Sequence, residues 1–103
     1  MASSWFVYIA RCADSSLYVG IARDVAARMA QHDAGTGARY TRGRGPLEVL
    51  ATRRCASQGN ALRLEYALKG LSRDRKLALA ASPGELSAFA RGCIRKRRVV
   101  KAD

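Results

Sequence analysis

Several kinds of site are excluded by what the sequence lacks. Its 103 residues include three cysteines, one histidine and eight acidic residues. The number of cysteines is odd, and no two of them form a C-x-x-C motif. This pattern predicts that Cys12, Cys55 and Cys93 are reduced, partly buried thiols rather than ligands of a zinc ion. A single histidine excludes a histidine-based metal site, and so few acids give no sign of a paired-carboxylate, two-metal site.

Long apolar runs are also absent. No stretch reaches the roughly 20 residues that a membrane-spanning helix needs. Residues 1–4 (MASS) lead directly into an aromatic strand and do not resemble a signal peptide. We therefore expect a cytoplasmic protein without a membrane partner.

What the chain has in excess is positive charge. Nineteen Lys and Arg against eight Asp and Glu give a net charge of +11. Such an excess attracts polyanions and favours release of counterions from phosphates, although an anionic membrane or a ribosomal RNA surface would suit it too. The length predicts one domain over residues 1–103, with a basic tail from about residue 95, and a hydrophobic content of 49% is typical of a globular protein.

The hydrophobic pattern predicts an α+β domain with the element order ββαβααα. The expected strands cover residues 5–11, 17–21 and 47–54, and the expected helices cover residues 25–32, 57–71 and 74–81 and a last one from 83. The first strand is apolar on both faces and should be central in its sheet, forming a hairpin with the second. The loop over residues 33–46 is long for a compact domain, which is typical of functional or mobile segments.

Glu65 is the first candidate site residue. Leu64 and Leu68 lie on the apolar stripe of its helix, and Leu62 extends that stripe past Glu65. An ionised carboxylate in an apolar sector needs a partner. Two interpretations stay open: a salt bridge to Lys69 one turn later, or a ligand of a single Mg²⁺ or Mn²⁺ at the mouth of a cleft.

Arg28 and His32 form a second candidate. They are four residues apart on the first helix and therefore project from the same side. The arginine could clamp a phosphate and offset charge that builds during cleavage, and the histidine could transfer a proton or bind phosphate. On these residues alone, a solvated basic helix face is favoured.

Two tyrosines on the hairpin are the third candidate. Tyr18 and Gly20 share one face of their strand, and Gly20 would let a phosphate approach the backbone. Whether Tyr8 shares that face depends on the hairpin register, which the sequence leaves open. A tyrosine acting as a base at neutral pH needs a nearby cation or metal, because its ordinary pKa is about 10. Two core tyrosines with hydroxyls at the surface are the alternative.

The glycine- and arginine-rich loop is the last candidate. It combines cations with an aromatic ring, which suits phosphate contact and base stacking. Its predicted nucleic-acid-binding residues are Arg39, Tyr40, Thr41, Arg42 and Arg44.

Taken in order, these segments resemble the GIY-YIG nuclease superfamily over residues 6–79. Residues 6–8 (FVY) stand where that family has G-I-Y, with Phe6 in place of the glycine, and residues 18–20 (YVG) match Y-I-G ten residues later. Residues 26–32 resemble the helix that carries the family's essential arginine.

Two further segments extend the resemblance. Residues 62–66 are similar to the helix that carries the family's metal-binding glutamate. Residues 37–46 resemble the signature of small stand-alone bacterial members, the YhbQ-like (UPF0213-type) proteins. These are also similar to the catalytic domain of structure-specific endonuclease subunits.

The resemblance implies a three-stranded antiparallel sheet flanked by helices, and phosphodiester hydrolysis with one divalent metal ion, Mg²⁺ or Mn²⁺. By carry-over, Glu65 holds the metal and Arg28 stabilises the transition state. Tyr8 and Tyr18 position or deprotonate the attacking water, and His32 assists.

The expected partner is nucleic acid, DNA rather than RNA, in the form of branched, flapped or damaged DNA during repair or recombination. A protein partner or a homodimer could supply the specificity. A nucleic-acid-binding module of the same fold with little catalysis is the alternative. A third reading, a ribosome-associated basic protein, leaves Glu65 without an explanation.

Overall fold

A computed structural model describes residues 4–35 and 43–102, with side chains up to residue 93. Its elements confirm the predicted α+β class, and the predicted boundaries differ from them by one or two residues. The strands are β1 (Trp5–Arg11), β2 (Leu17–Ala22) and β3 (Glu48–Cys55). The helices are α1 (Val25–Asp33), α2 (Gln58–Lys69), α3 (Arg73–Ala81) and α4 (Pro83–Ala102).

The sheet is antiparallel with the strand order β2-β1-β3, so β1 is central as predicted. Tyr8 lies opposite Gly20 on β2 and opposite Thr52 on β3. Residues directly opposite one another in an antiparallel pair point to the same face. The register therefore places Tyr8, Tyr18 and Gly20 on one face, which the sequence had left open.

The two faces of the sheet pack against different helices. One face carries Val7, Ile9 and Val19 against the apolar sides of α2, α3 and α4. Burying a leucine such as Leu64 in this layer contributes roughly 1.5–3 kcal/mol. The other face carries Tyr8 and a smaller apolar cluster beneath α1. The candidate site lies on this second face.

Local capping explains where the helices begin. The side chain of Asp24 accepts a hydrogen bond from the amide of Ala27, and Ser57 caps α2 in the same way, as predicted. Ser72 caps α3 by accepting from Arg75, which moves the start of that helix one residue before the predicted one. Such a cap contributes about 1 kcal/mol.

Both flanks of the glycine- and arginine-rich loop are tied to the framework. The Asp33 carboxylate accepts a hydrogen bond from the amide of Leu47 at 2.9 Å. The amide of Ala13, in the β1–β2 turn, donates to the carbonyl of Arg44 at 2.7 Å. The segment between these contacts, residues 36–42, lies outside the described residues.

Two other expectations concern the chain as a whole. Cys12 and Cys55 are buried and Cys93 is half-buried, as predicted, and these three cysteines form no disulfide within the described residues. In the part of the chain that the structure describes, no helix has the length and apolar character to cross a bilayer.

Candidate active site

Tyr8 is the centre of the candidate site. Its side chain is 1% exposed, and its hydroxyl lies 3.0 Å from Nε2 of His32. Burial is the main cause that raises the pKa of Tyr8 to about 12, and the neighbouring Tyr18 is the second. A hydrogen bond from Arg28 and the charge of Arg28 act in the opposite direction. Tyr8 is therefore a neutral phenol at physiological pH.

His32 is the partner of that phenol. It is 1% exposed, so the solvated-face interpretation is wrong for this residue. Burial, and then the charge of Arg28, lower the pKa of His32, while Asp33 opposes them. A neutral imidazole has one ring nitrogen free to accept a proton. The ring of Tyr18 packs edge-on against His32 with the centroids 5.3 Å apart and fixes the imidazole plane.

Gly20 has a packing role that the sequence did not predict. It is buried, and a Cβ built there would lie 2.6 Å from the Tyr8 hydroxyl oxygen and 2.9 Å from a ring carbon of Tyr18. The two tyrosines occupy the space that a side chain at this position would take, and the expectation that Gly20 lets a phosphate approach the backbone stays a prediction. Glycine is required here so that the Tyr8 hydroxyl can reach His32.

Substituting Gly20 tests this packing. We expect Gly20→Ala to displace Tyr8, to lower the free energy of unfolding by about 1–3 kcal/mol and to reduce any cleavage about a hundredfold. Gly59→Ala is a matched control, because a Cβ at Gly59 meets no atom nearer than 3.8 Å. Urea unfolding and cleavage assays measure both effects. A Gly20→Ala protein as stable and active as Gly59→Ala would contradict the packing argument.

His32 also makes stability depend on pH. Because its pKa is lower in the fold, the unfolded chain binds the proton first as the pH falls. The stability linked to neutral His32 is complete above its unfolded pKa of about 6.5 and is lost as the pH falls through the folded pKa. We expect the urea midpoint to fall between about pH 8 and about pH 5.5, and less so in His32→Gln. His32 is the chain's one histidine, so equal pH slopes for the two proteins would refute its burial as a neutral group.

Arg28 lies beside the Tyr8 hydroxyl and influences its pKa through a hydrogen bond and its charge. One terminal nitrogen of its guanidinium donates to the amide oxygen of Gln31 at 3.0 Å. Its Nε is buried and finds no hydrogen-bond partner among the described residues. An unpaired buried donor costs roughly 1–3 kcal/mol, a cost that an anionic oxygen placed there would remove.

Glu65 forms a salt bridge with Lys69, which is one of the two interpretations that the sequence left open. Its carboxylate is 3.2 Å from Nζ of Lys69, and the two side chains are 17% and 54% exposed. The charge of Glu65 also contributes to the raised pKa of Tyr8, so the carboxylate belongs to the same electrostatic neighbourhood. An ion pair with a half-exposed lysine contributes only about 0–1 kcal/mol, and that lysine can turn away at little cost.

The donor set fits one kind of metal. No group of three or more His, Cys, Asp or Glu side chains comes together in the described residues. A zinc-type or two-metal site is therefore not formed by residues 4–35 and 43–93. Mg²⁺ or Mn²⁺ fits better, because Mg²⁺ is commonly held by one or two carboxylates, waters and substrate phosphate. Glu65 is the residue that fits such an ion.

The loop residues have separate outcomes. Arg44 forms an ion pair with Asp14 and lies 3.5 Å from the hydroxyl of Ser16, so it fastens the loop to the β1–β2 turn. That role was not predicted from the sequence. The other four predicted nucleic-acid-binding positions, Arg39, Tyr40, Thr41 and Arg42, lie outside the described residues.

Sequence reasoning missed a group of residues next to Arg28. Trp5, Arg23, Gln31 and Gln58 line an open groove of about 490 Å³ that also includes Arg28. One signal was available: Gln58 and Glu65 are seven residues apart, which places them on the same side of a helix. The other lining residues come from separate elements and have no shared sequence pattern.

The three-stranded antiparallel sheet flanked by helices agrees with the comparisons with known proteins. Residues 4–78 match the model of the GIY-YIG catalytic domain, and the chain belongs to the GIY-YIG family. Among its relatives are UPF0213 proteins, as the sequence resemblance had indicated.

Three relatives define the similarity. A UPF0213 protein of Nitratidesulfovibrio vulgaris is 44% identical over 90 residues, covering 87% of this chain and 81% of the relative. One from Vibrio cholerae is 50% identical over 80 residues, covering 77% and 79%. The solution NMR structure of a UPF0213 protein from Bacillus halodurans aligns with a TM-score of 0.50 at 45% identity, covering 76% of this chain and 83% of that one.

Proposed function

We propose that this protein is an endonuclease that hydrolyses phosphodiester bonds in nucleic acid with one divalent ion, Mg²⁺ or Mn²⁺, held by Glu65. The observation that supports this most is the buried Nε of Arg28, which lies beside the Tyr8–His32 pair and has no hydrogen-bond partner in the part of the chain that the structure describes. A donor that lacks an anion stands next to a pair of groups able to transfer a proton. Phosphodiester hydrolysis needs both functions in one place.

Tyr8 and His32 act together as the base. Tyr8 alone is a poor base at neutral pH, because its pKa of about 12 keeps it protonated. With His32 neutral, the water proton passes to the Tyr8 oxygen while the Tyr8 proton passes to Nε2 of His32, 3.0 Å away. The water oxygen forms the new bond to phosphorus, and the opposite phosphorus–oxygen bond breaks. Tyr8 stays neutral and His32 ends as the imidazolium.

Arg28 and Glu65 complete the site. The guanidinium of Arg28, held by Gln31, binds a non-bridging phosphate oxygen and offsets the negative charge of the transition state. Glu65 provides the carboxylate for the metal once Lys69 turns away. A divalent ion held by Glu65 would lower the pKa of a bound water and would offset the charge on the leaving oxygen. The imidazolium on His32 is stabilised by the phosphate charge that has entered the site.

The finer parts of the proposal concern substrate and setting. DNA is favoured over RNA, with branched, flapped or damaged DNA in repair or recombination as the substrate and the cytoplasm as the location. A protein partner or a second copy of the chain supplies targeting. The alternative, a binding module with little catalysis, is favoured by one observation, namely that Lys69 already neutralises Glu65.

A cleavage panel tests the proposal. Purified protein is incubated with labelled duplex, flapped and branched DNA and with structured RNA, in Mg²⁺ or Mn²⁺, beside Glu65→Ala. Metal-dependent cleavage by the wild type alone supports the nuclease and identifies its substrate class. Binding without cleavage by either protein supports the binding module instead.

A further inference from the structure

A groove follows the outer edge of β2, between α1 and the beginning of α2. We call it the edge groove. It is an open hollow of about 490 Å³, within the range of small-molecule and cofactor sites. Its lining residues are Trp5, Ile21, Ala22, Arg23, Asp24, Ala27, Arg28, Gln31 and Gln58.

The edge groove shares one residue, Arg28, with the candidate active site. Arg28 belongs to both, because its guanidinium lies beside Tyr8 and its side chain lines the groove. On α2, Gln58 precedes Glu65 by seven residues, which places the two side chains on the same side and about 10 Å apart along the helix axis. A strand whose phosphate contacts Arg28 therefore lies against the groove as well.

The chemistry of the groove matches a nucleotide. Arg23 stacks on Trp5, with its guanidinium carbon 5.5 Å from the ring centroid, and such a pair offers a flat surface and a positive charge. Gln31 and Gln58 carry amides, which both donate and accept hydrogen bonds. The one acidic lining residue, Asp24, already accepts a hydrogen bond from the amide of Ala27 as the cap of α1.

We propose that the edge groove holds one unpaired nucleotide next to the phosphate that is cut. The inference rests on the proposed nuclease function and names its substrate class as nucleic acid with single-stranded character at the cleavage site. In a duplex, stacking covers the faces of a base and pairing covers its hydrogen-bonding edge. Only an unpaired base presents a free face to the Trp5–Arg23 stack and a free edge to Gln58.

Trp5 makes the proposal measurable, because it is the chain's one tryptophan. The full chain is titrated with hexathymidylate in EDTA while Trp5 fluorescence is followed, and a blunt duplex of equal nucleotide concentration serves as comparison. We expect quenching by the single strand and little by the duplex. Arg23→Ala and Gln58→Ala should each weaken binding of the single strand by about tenfold, as loss of one stacking or base contact does.

Arg75→Ala is the matched control, since it removes one exposed cation from α3, away from the groove. It should weaken binding about twofold or less, through charge alone. Equal losses for Arg23→Ala and Arg75→Ala, or a Trp5 signal that ignores the single strand, overturn the inference. Because the titration contains no metal, it is independent of cleavage: a protein that cuts DNA without this signal keeps the proposed function and loses the groove assignment.

Discussion

Glu65→Ala should lower metal-dependent cleavage about a thousandfold or more, while the fold and the affinity for nucleic acid stay nearly unchanged. A metal ion contributes several kcal/mol of transition-state stabilisation, and each 1.36 kcal/mol changes a rate about tenfold. The carboxylate is partly exposed and pairs with a half-exposed lysine, so its loss costs about 1 kcal/mol of stability at most. Single-turnover cleavage, binding in EDTA and urea unfolding measure the three quantities.

Lys69→Ala separates the two interpretations of Glu65. It breaks the same ion pair but leaves the carboxylate in place. If Glu65 holds a metal, Lys69→Ala retains cleavage and Glu65→Ala does not. If the ion pair is what matters, the two variants lose stability and activity together. An unfolded Glu65→Ala protein beside a folded Lys69→Ala protein would also count against the metal role, because it would make Glu65 a structural residue.

Arg28→Ala is expected to have the second-largest effect, a loss of about a hundredfold to a thousandfold in cleavage. Its effect on stability should be small or favourable, because the Nε of Arg28 is buried and has no partner among residues 4–35 and 43–93. Activity and stability therefore separate at this residue. A structural arginine would show the opposite pattern, a large loss of unfolding free energy that explains the loss of activity.

Arg28→Lys refines the test. Lysine keeps the charge but loses the planar fork and the Nε donor, so cleavage should recover only in part. Arg75→Ala, an exposed arginine on α3, controls for the removal of one positive charge. Full recovery with lysine would show that Arg28 supplies charge alone and would contradict the role given to its Nε.

Much of the framework could be predicted because it depends on local patterns. The apolar faces of residues 5–11 placed β1 at the centre of the sheet, and the oxygens of Asp24 and Ser57 marked the starts of two helices. The family resemblance named the catalytic candidates from short motifs in their order along the chain, and their roles stay predictions. Each of these features depends on only a few neighbouring residues, so it can be predicted from a short stretch of sequence.

The remaining features depend on residues far apart in the chain. The packing of Gly20 against Tyr8 was not predicted, because it depends on the hairpin register, which the sequence leaves open. From the sequence, Gly20 was expected only to contact phosphate. From helical spacing alone His32 was placed on a solvated face, while the family resemblance made it a catalytic candidate. Spacing does not reveal that Tyr8 covers it from the sheet. Arg44 was assigned to nucleic acid, and its ion pair joins it to Asp14, 30 residues away.

The anchored flanks of the glycine- and arginine-rich loop divide the domain into a constant part and an exchangeable part. The hydrogen bond between the Asp33 carboxylate and the Leu47 amide joins the two ends of the loop. The hydrogen bond between the Ala13 amide and the Arg44 carbonyl attaches its second flank to the β1–β2 turn. Insertions, deletions or substitutions between these anchors leave the geometry of the chemical centre unaltered, because the strain of a new loop ends at the anchors. If the loop contacts nucleic acid as predicted, the substrate that it recognises can diverge in evolution while the proposed reaction stays the same.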